Sequence, residues 1–515
     1  MNSRRHVLPA LLLSAVAGAA TVLAFAPWGW WPIQILALAL VFHMVLRAQS
    51  IRKSALIGWA YGFGCAICGL YWLFVSMHRY GGMAAWLAAL AVLLFALGLG
   101  AFAAIALSLG AWLRQRLSSP AVIGALLIFP ACWTLGEWLR GWLFSGFPWL
   151  VSGYAHTSSP LAGFAPVGGV YGIGWLCAIA AGCIAFLPFR QTRGRILALL
   201  LACALFVAGF FLQQVHWTEP HGQPIAVRLL QTNVPQEMKF ERKQIDAMLA
   251  LNHAMLTEAP ADLIATPETA IPVMPQRLPP NYLAKLTEFS RKTGSHLLLG
   301  IPLYDDRDDY TNSMIGFAPG RKEAYRYDKH HLVPFGEFVP PGFRWFVNLM
   351  HIPLGDFSRG PLVQPAFAVK DQRVLPNICY EDLFGEEIAE QIAATHYAGQ
   401  PQPTVLLNTS NIAWFGDTIA LPQHLQISQM RAIETGRPML RSTNTGMTAV
   451  IAPDGSVSAK LPAYARGTLA AQVQGYTGAT PYILYGNAIV ISLTMLSLLL
   501  AWWLARRARR RSIWR

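Results

Sequence analysis

Seven long apolar runs follow one another through the N-terminal part of the chain, near residues 8–26, 33–47, 55–77, 84–113, 121–144, 165–189 and 195–214, and an eighth lies near 486–505. An α-helix needs about 17–25 apolar residues to cross a hydrocarbon layer. The pattern therefore predicts a polytopic helical bundle of about eight spans. Between 215 and 480 the pattern changes. Short runs rich in β-branched and aliphatic residues (IAVRLLQTNV, ADLIATPE, HLLLGIPLYD, RVLPNICYE, PTVLLNTSN, PMLRSTNTG, MTAVIAPDGSV) alternate with helical stretches near 241–257, 281–293, 384–395 and 421–436. A hairpin-like stretch, NSMIGFAPGRKEAYRYDK, sits in the middle. This order predicts one α/β domain with mixed sheets. The expected division is a seven-span bundle over 1–214, a catalytic domain over 215–480, and a final span with a basic tail over 481–515.

Composition agrees with a membrane protein: 54% of the 515 residues are hydrophobic, only 13% are charged, and the mean hydropathy is +0.38. Charge sharpens the picture. Of 26 acidic residues 25 lie in the α/β segment, together with 22 of the 40 basic ones, so the rest of the chain opposes 18 basic residues to Glu137 alone. The net charge of +14 thus comes from membrane-flanking segments and calls for no nucleic acid. Basic residues occupy alternate connections and both ends: Arg4 and Arg5, Arg47 to Lys53, Arg114 and Arg116, Arg190 to Arg195, and the tail RRARRRSIWR. The positive-inside rule places those sides and both termini in the cytoplasm and the α/β domain outside it. Glu137 and Arg140 lie three residues apart in the fifth run, a spacing that predicts an ion pair on one helix face.

Six of seven cysteines lie in apolar runs and read as small core residues, including the lone C-x-x-C of Cys65 and Cys68. Cys379 alone lies in the polar segment, in LPNICYEDLF, followed at once by two acids. Carboxylates disfavour a thiolate, so a working Cys379 needs a base and a cation nearby. Two other predicted strand ends supply them: TPE places Glu268 after one strand, and YDKHH places Lys329 after another. Strand ends of one sheet converge, which makes Glu268, Lys329 and Cys379 a candidate trio.

The stretches TPETAIP, YDKHHLVPFGEFVP and ICYEDLF resemble the three signatures of the nitrilase superfamily, whose Glu–Lys–Cys triad sits on an αββα sandwich. Eight spans around such a domain, with EWLRGWLFSGFPW and QHLQISQMRAIETGRPMLRSTNTG, narrow the resemblance to the apolipoprotein N-acyltransferase family. The resemblance implies an enzyme of the inner membrane with its catalytic domain in the periplasm. It implies acyl transfer from a phospholipid, phosphatidylethanolamine being the expected donor, to the α-amino group of the lipidated N-terminal cysteine of a diacylglyceryl apolipoprotein. The route is a thioester on Cys379, with Glu268 as proton acceptor, Lys329 as partner, and Glu337, Tyr380 and Glu381 in support; no cofactor or metal is implied. Two positions depart from the family pattern: Phe240 stands where a tryptophan is frequent, and Ile412 replaces an aspartate ahead of Trp414.

A thioester must be kept from water, and the apolar, Pro- and Gly-rich stretch 340–357 is the expected lid, with Trp345 and Phe346 reaching lipid; Phe240 and Trp414 are further candidates for contact with the acyl chain. In the first turn of the helix after Cys379, Glu381 and Asp382 suit the helix dipole and are expected to hold the elbow or to orient Lys329. Two alternatives stand beside this reading. A membrane-tethered hydrolase would give free fatty acid instead of an N-acyl peptide. A transporter is disfavoured because Glu137 alone is acidic within the runs and no polar pathway or internal repeat is visible.

Overall fold

The computed structural model describes residues 7–188, 192–237, 239, 242–305, 309–342, 344 and 356–513. It divides into two compact units: Met1–Phe74, Ala85–Val215 and Tyr485–Arg515 form one, and His216–Leu484 with Val75–Ala84 form the other.

The first unit is helical. Among the described residues six helices are long and apolar enough to cross a membrane: Val7–Ala24, Ala85–Leu117, Ala121–Ser145, Pro160–Phe186, Gly194–Leu212 and Ala488–Arg509. Two of the eight predicted spans differ. Trp31–Arg47 is apolar but only 17 residues long, and the run predicted over 55–77 is two helices, Ile51–Gly69 and Trp72–Tyr80, bent by 50°. The Trp72 indole donates to the Gly69 carbonyl at 3.0 Å, a side-chain bond to an acceptor at the break. The helices Val7–Thr21 and Ile51–Gly69 approach closely because Gly18 faces the Tyr61 backbone and Gly64 faces that of Ala15, where any Cβ would collide.

The expected Glu137–Arg140 ion pair is not formed among the described residues. Glu137 instead accepts from the Ser152 N–H at 2.9 Å and hydroxyl at 2.7 Å, and Arg140 donates to the Trp149 carbonyl at 3.0 Å. Both side chains bind polar groups of the segment that follows their helix, Phe129–Trp142, groups that would otherwise lack partners.

In the second unit two six-stranded sheets face each other. The first has the order β12 (Gly467–Gly478), β1 (Thr218–Gln231), β2 (Leu263–Ala265), β3 (His296–Asp305), β4 (Asp309–Phe317), β5 (Tyr325–Asp328); the second has β11 (Val457–Lys460), β10 (Ala449–Ile451), β9 (Met439–Thr443), β8 (Val405–Ser410), β7 (Gln372–Ile378), β6 (Phe367–Val369). Strands β1 to β3 are parallel, as are β7 to β9, and the flanking strands pair antiparallel.

Alternation along each strand builds three apolar layers. Val227, Leu229, Ala265 and Leu298 point inward and meet Ile378, Val405, Leu407 and Leu440 of the opposite sheet. Leu230, Ile264, Leu297 and Leu299 point outward onto the helices Arg242–Thr257 and Tyr282–Thr293 through Leu249, Leu256 and Leu286. On the far side Leu375, Leu406 and Met439 pack under the helices Gly385–Tyr397 and Ala420–Thr435 through Ile388, Ile392 and Leu425. The result is an αββα sandwich. Its parallel strands direct their carboxyl ends, and the turns after them, toward one region, where such sheets bind ligands.

Candidate active site

Three strand ends deliver the predicted trio, from both sheets and not from one as expected: Glu268 and Lys329 follow strands of the first sheet and Cys379 a strand of the second. Glu268 follows β2 in a turn that β3 approaches closely: Gly300 lies against Pro267, Glu268 and Thr269, and a Cβ there would strike their backbone. Lys329 follows β5, and its main-chain N–H donates to the Asn312 carbonyl on β4 at 2.8 Å. Cys379 comes directly after β7 with φ of +52°, a left-handed conformation that a side chain adopts only under constraint. A 3-10 turn, Cys379–Leu383, follows it.

The three are joined by buried polar contacts. Lys329 is 1% exposed and its Nζ lies 2.9 Å from Glu337 Oε1 and 3.4 Å from Glu268 Oε1. Asn312 Nδ2 donates to the same two oxygens, at 2.7 Å to Glu268 and 2.8 Å to Glu337. Glu268 Oε2 accepts from the Asn411 N–H at 2.8 Å, and Glu337 Oε2 from the Val333 N–H at 2.8 Å. Burial raises the Glu268 pKa, but the Lys329 charge, the Asn312 bond, the Lys239 charge and the Asn411 N–H outweigh it, and the net direction is down. Burial also lowers that of Lys329, yet Glu337 and Glu268 reverse the sign and hold it protonated. The Cys379 thiol is pushed up, first by burial and then by the Glu268 charge, while Lys329 pulls it down. Such a thiol rests protonated beside an ionised carboxylate, the arrangement in which the carboxylate serves as its base.

Glu381 answers why acids follow the cysteine. Its Oε2 accepts from the Ile378 N–H at 2.6 Å and the Tyr327 hydroxyl at 3.0 Å, and its Oε1 from the N–H groups of His330 at 2.6 Å and His331 at 3.2 Å. One carboxylate thus binds the cysteine turn to the turn carrying Lys329. Asp382 points away and pairs with Arg441 at 3.3 Å. Tyr380 packs against His331 and Phe384, with ring centroids 5.7 and 5.2 Å apart, and fixes the same junction from outside.

Of the remaining predicted residues, Trp414 lies in the 3-10 turn Ile412–Phe415 and meets Tyr80 edge-on with centroids 6.1 Å apart, within the same compact unit. Phe240, Trp345 and Phe346 lie outside the described residues. Sequence reasoning missed Asn312 and Asn411, which orient Glu268, and Asn408, which donates to the Cys379 carbonyl at 3.2 Å. The available signal was an asparagine inside an apolar strand, in YTNSMIGF and VLLNTS, where an unpaired amide is costly. It also missed Lys239, whose Nζ donates to the Glu268 carbonyl at 3.1 Å.

Comparison with known proteins agrees with this architecture. Residues 17–183 match the profile described as apolipoprotein N-acyltransferase N-terminal domain, and residues 226–482 match that described as carbon-nitrogen hydrolase. A protein of Ralstonia nicotianae named apolipoprotein N-acyltransferase is 52% identical, the alignment covering 96% of this chain and 93% of the relative. One of Bordetella bronchiseptica with the same name is 43% identical over 98% of this chain and 97% of its own length. Among solved structures, a carbon-nitrogen hydrolase from Helicobacter pylori G27 aligns with 56% of this chain and 96% of its own at a TM-score of 0.35 and 17% identity.

Proposed function

The chain belongs to the apolipoprotein N-acyltransferase family and is a membrane acyltransferase, and from that premise we propose which of its residues carry the reaction and on what substrates. The Cys379 thiol gives its proton to Glu268, and the thiolate attacks an ester carbonyl of a phospholipid. The Lys329 ammonium and a main-chain N–H near Tyr380 receive the developing oxyanion; one such donor contributes roughly 3–4 kcal/mol to lowering the barrier. Collapse of the tetrahedral intermediate expels the lysophospholipid oxygen, which takes the proton back from Glu268, and leaves the acyl group on Sγ as a thioester.

In the second half, Glu268 accepts a proton from the incoming α-amino group. The amine nitrogen attacks the thioester carbonyl, the C–S bond breaks as the amide forms, and the departing Cys379 thiolate takes that proton from Glu268, which restores both groups. The same base serves both halves of a ping-pong cycle.

The observation that carries this reading is the lysine held between two carboxylates at the elbow of a single constrained cysteine. Glu337 and Glu381 act by position: one fixes Lys329, the other locks the two turns together. The donor is a phospholipid of the phosphatidylethanolamine class and the acceptor a diacylglyceryl apolipoprotein. The distribution of basic residues supports an inner-membrane enzyme with cytoplasmic termini and a periplasmic catalytic domain.

The test is a transfer assay with the full chain in phosphatidylethanolamine vesicles and a synthetic diacylglyceryl-cysteine peptide. The reading expects the N-acyl peptide and lysophospholipid in equal amounts. Free fatty acid with no acylated peptide, the peptide being present in excess, identifies a hydrolase and overturns it.

A further inference from the structure

The second unit holds another buried ammonium, one that the scheme above leaves without a task. Lys239 sits in the loop after β1 and is 3% exposed. Its Nζ donates to the Glu268 carbonyl at 3.1 Å, and among the described residues no carboxylate lies within ion-pair distance of it. A buried charge with one neutral acceptor is unfavourable for folding, and an apolar side chain of similar volume would usually serve stability better. Nor is Lys239 needed to hold its loop. Asn444 already accepts from the Val234 N–H at 2.9 Å and donates to the Val234 carbonyl at 2.8 Å, and Asn411 donates to Gln236 at 2.8 Å.

Lys239 also lines, with Glu268, Met248, Ala270 and Asn444, a cavity of about 10 Å³, room for roughly one water. Burial pulls its pKa down to about 8, with the charges of Glu268 and Cys379 opposing that shift. The charge balance suggests what it does. Glu268 and Glu337 present two carboxylates to the single ammonium of Lys329, so the base and nucleophile operate in a negative site unless a second cation is present. Passing the thiol proton to Glu268 leaves that imbalance in place, because a thiolate replaces a carboxylate.

We propose that Lys239 is an electrostatic positioning residue of the active site: its ammonium, acting through Glu268 and Cys379, keeps the base ionised and stabilises the thiolate, and so sets the pH range over which Cys379 is acylated. This rests on the reading of Glu268 as base and Cys379 as nucleophile. The other charged groups facing this pair are Lys329 and Glu337 on one side and, behind the cysteine turn, Arg441 with the neutral His424 beside it. The adjacent Glu237 is turned to Arg79, 3.4 Å away, with both side chains largely exposed.

The experiment compares the full chain in phospholipid vesicles with its Lys239→Met and Lys239→Arg variants. It follows acyl-adduct formation and the alkylation of Cys379 by iodoacetamide, mapped by peptide mass, from pH 5 to 10. In Lys239→Met both profiles are expected to move to higher pH by about one unit, with adduct formation at pH 7 slowed at least about tenfold. Lys239→Arg, which keeps the charge, is expected to restore most of the wild-type profile. A wild-type pH profile in Lys239→Met overturns the proposal whether or not the rate falls, since lost packing slows turnover without moving the profile. Should Lys239→Met fail to fold, Lys239→Gln replaces it with the same criterion. Glu268→Gln separates the two claims: a wild-type profile there refutes the base assignment, whereas one in Lys239→Met alone removes only Lys239.

Discussion

Asn312 joins the two carboxylates that grip Lys329, and replacing it with leucine removes both bonds while nearly preserving volume. The residue is 6% exposed, and its Nδ2 lies 2.7 and 2.8 Å from oxygens of Glu268 and Glu337. Hydrogen bonds to charged acceptors contribute about 1.5–3 kcal/mol each. Lys329 already reaches the same two oxygens at 3.4 and 2.9 Å, so it recovers part of the loss. A net cost of about 2–3 kcal/mol remains, and for a domain of this size it lowers the unfolding temperature by roughly 5–10 °C. The effect on rate is larger than on stability, because Glu268 then keeps fewer of the contacts that aim it at the thiol. Displacing a reacting group by about 1 Å costs roughly 100-fold. Single-turnover adduct formation, followed by intact mass, is therefore expected to slow about 100-fold in Asn312→Leu. Its acid limb should also move up in pH, since one of the bonds lowering the Glu268 pKa is gone. A variant that charges with acyl at the wild-type rate and melts at the wild-type temperature refutes the reasoning, and with it the role given to this amide.

Lys329→Arg is expected to fold and yet lose acylation by at least about 100-fold in the same adduct assay, because a planar guanidinium does not replace a compact ammonium held between Glu268 and Glu337. Glu268→Gln should form no adduct. It should also reveal the linkage: the Glu268 pKa is depressed by folding, so the wild type's stability advantage over the variant is present at pH 7 and is lost only as pH falls below roughly 4, measured by thermal unfolding at each pH. Trp345→Ser with Phe346→Ser tests the expectation, drawn from the sequence alone, that the stretch 340–357 covers the acyl chain: labelling of Cys379 by a small reagent should persist while turnover of a full-length phospholipid falls sharply and that of a short soluble ester much less, and equal turnover of both donors refutes it. Each acyl methylene that loses its cover removes about 0.8 kcal/mol of binding.

Most of the sandwich was legible because its strands are either alternating or wholly apolar and its helices are punctuated by Pro and Gly. The final strand, Gly467–Gly478, escaped detection: GTLAAQVQGYTG has three glycines and weak alternation, and it is held in place by pairing with β1 from far along the chain. The broken span near Gly69 was hidden for a similar reason, since hydropathy over 55–77 is continuous and only the Trp72 indole bond and backbone geometry mark the bend. The Glu137–Arg140 spacing was read as an ion pair because sequence reports neighbours on one helix; it does not report the Ser152 and Trp149 groups brought in by the following loop. At the site, Glu268, Lys329 and Cys379 were legible as candidates because each is a reactive type at a predicted strand end. Asn312, Asn411 and Lys239 act on them from other strands and loops, and nothing local to those residues marks their direction.

Acyl transfer through Cys379 requires a thioester on that residue. Full-length protein purified from phospholipid membranes and measured by intact mass should carry one acyl adduct, removed by neutral hydroxylamine, mapped to Cys379, and absent from Cys379→Ser while still present in Cys132→Ser. An adduct that persists in Cys379→Ser, or one that resists hydroxylamine, contradicts it.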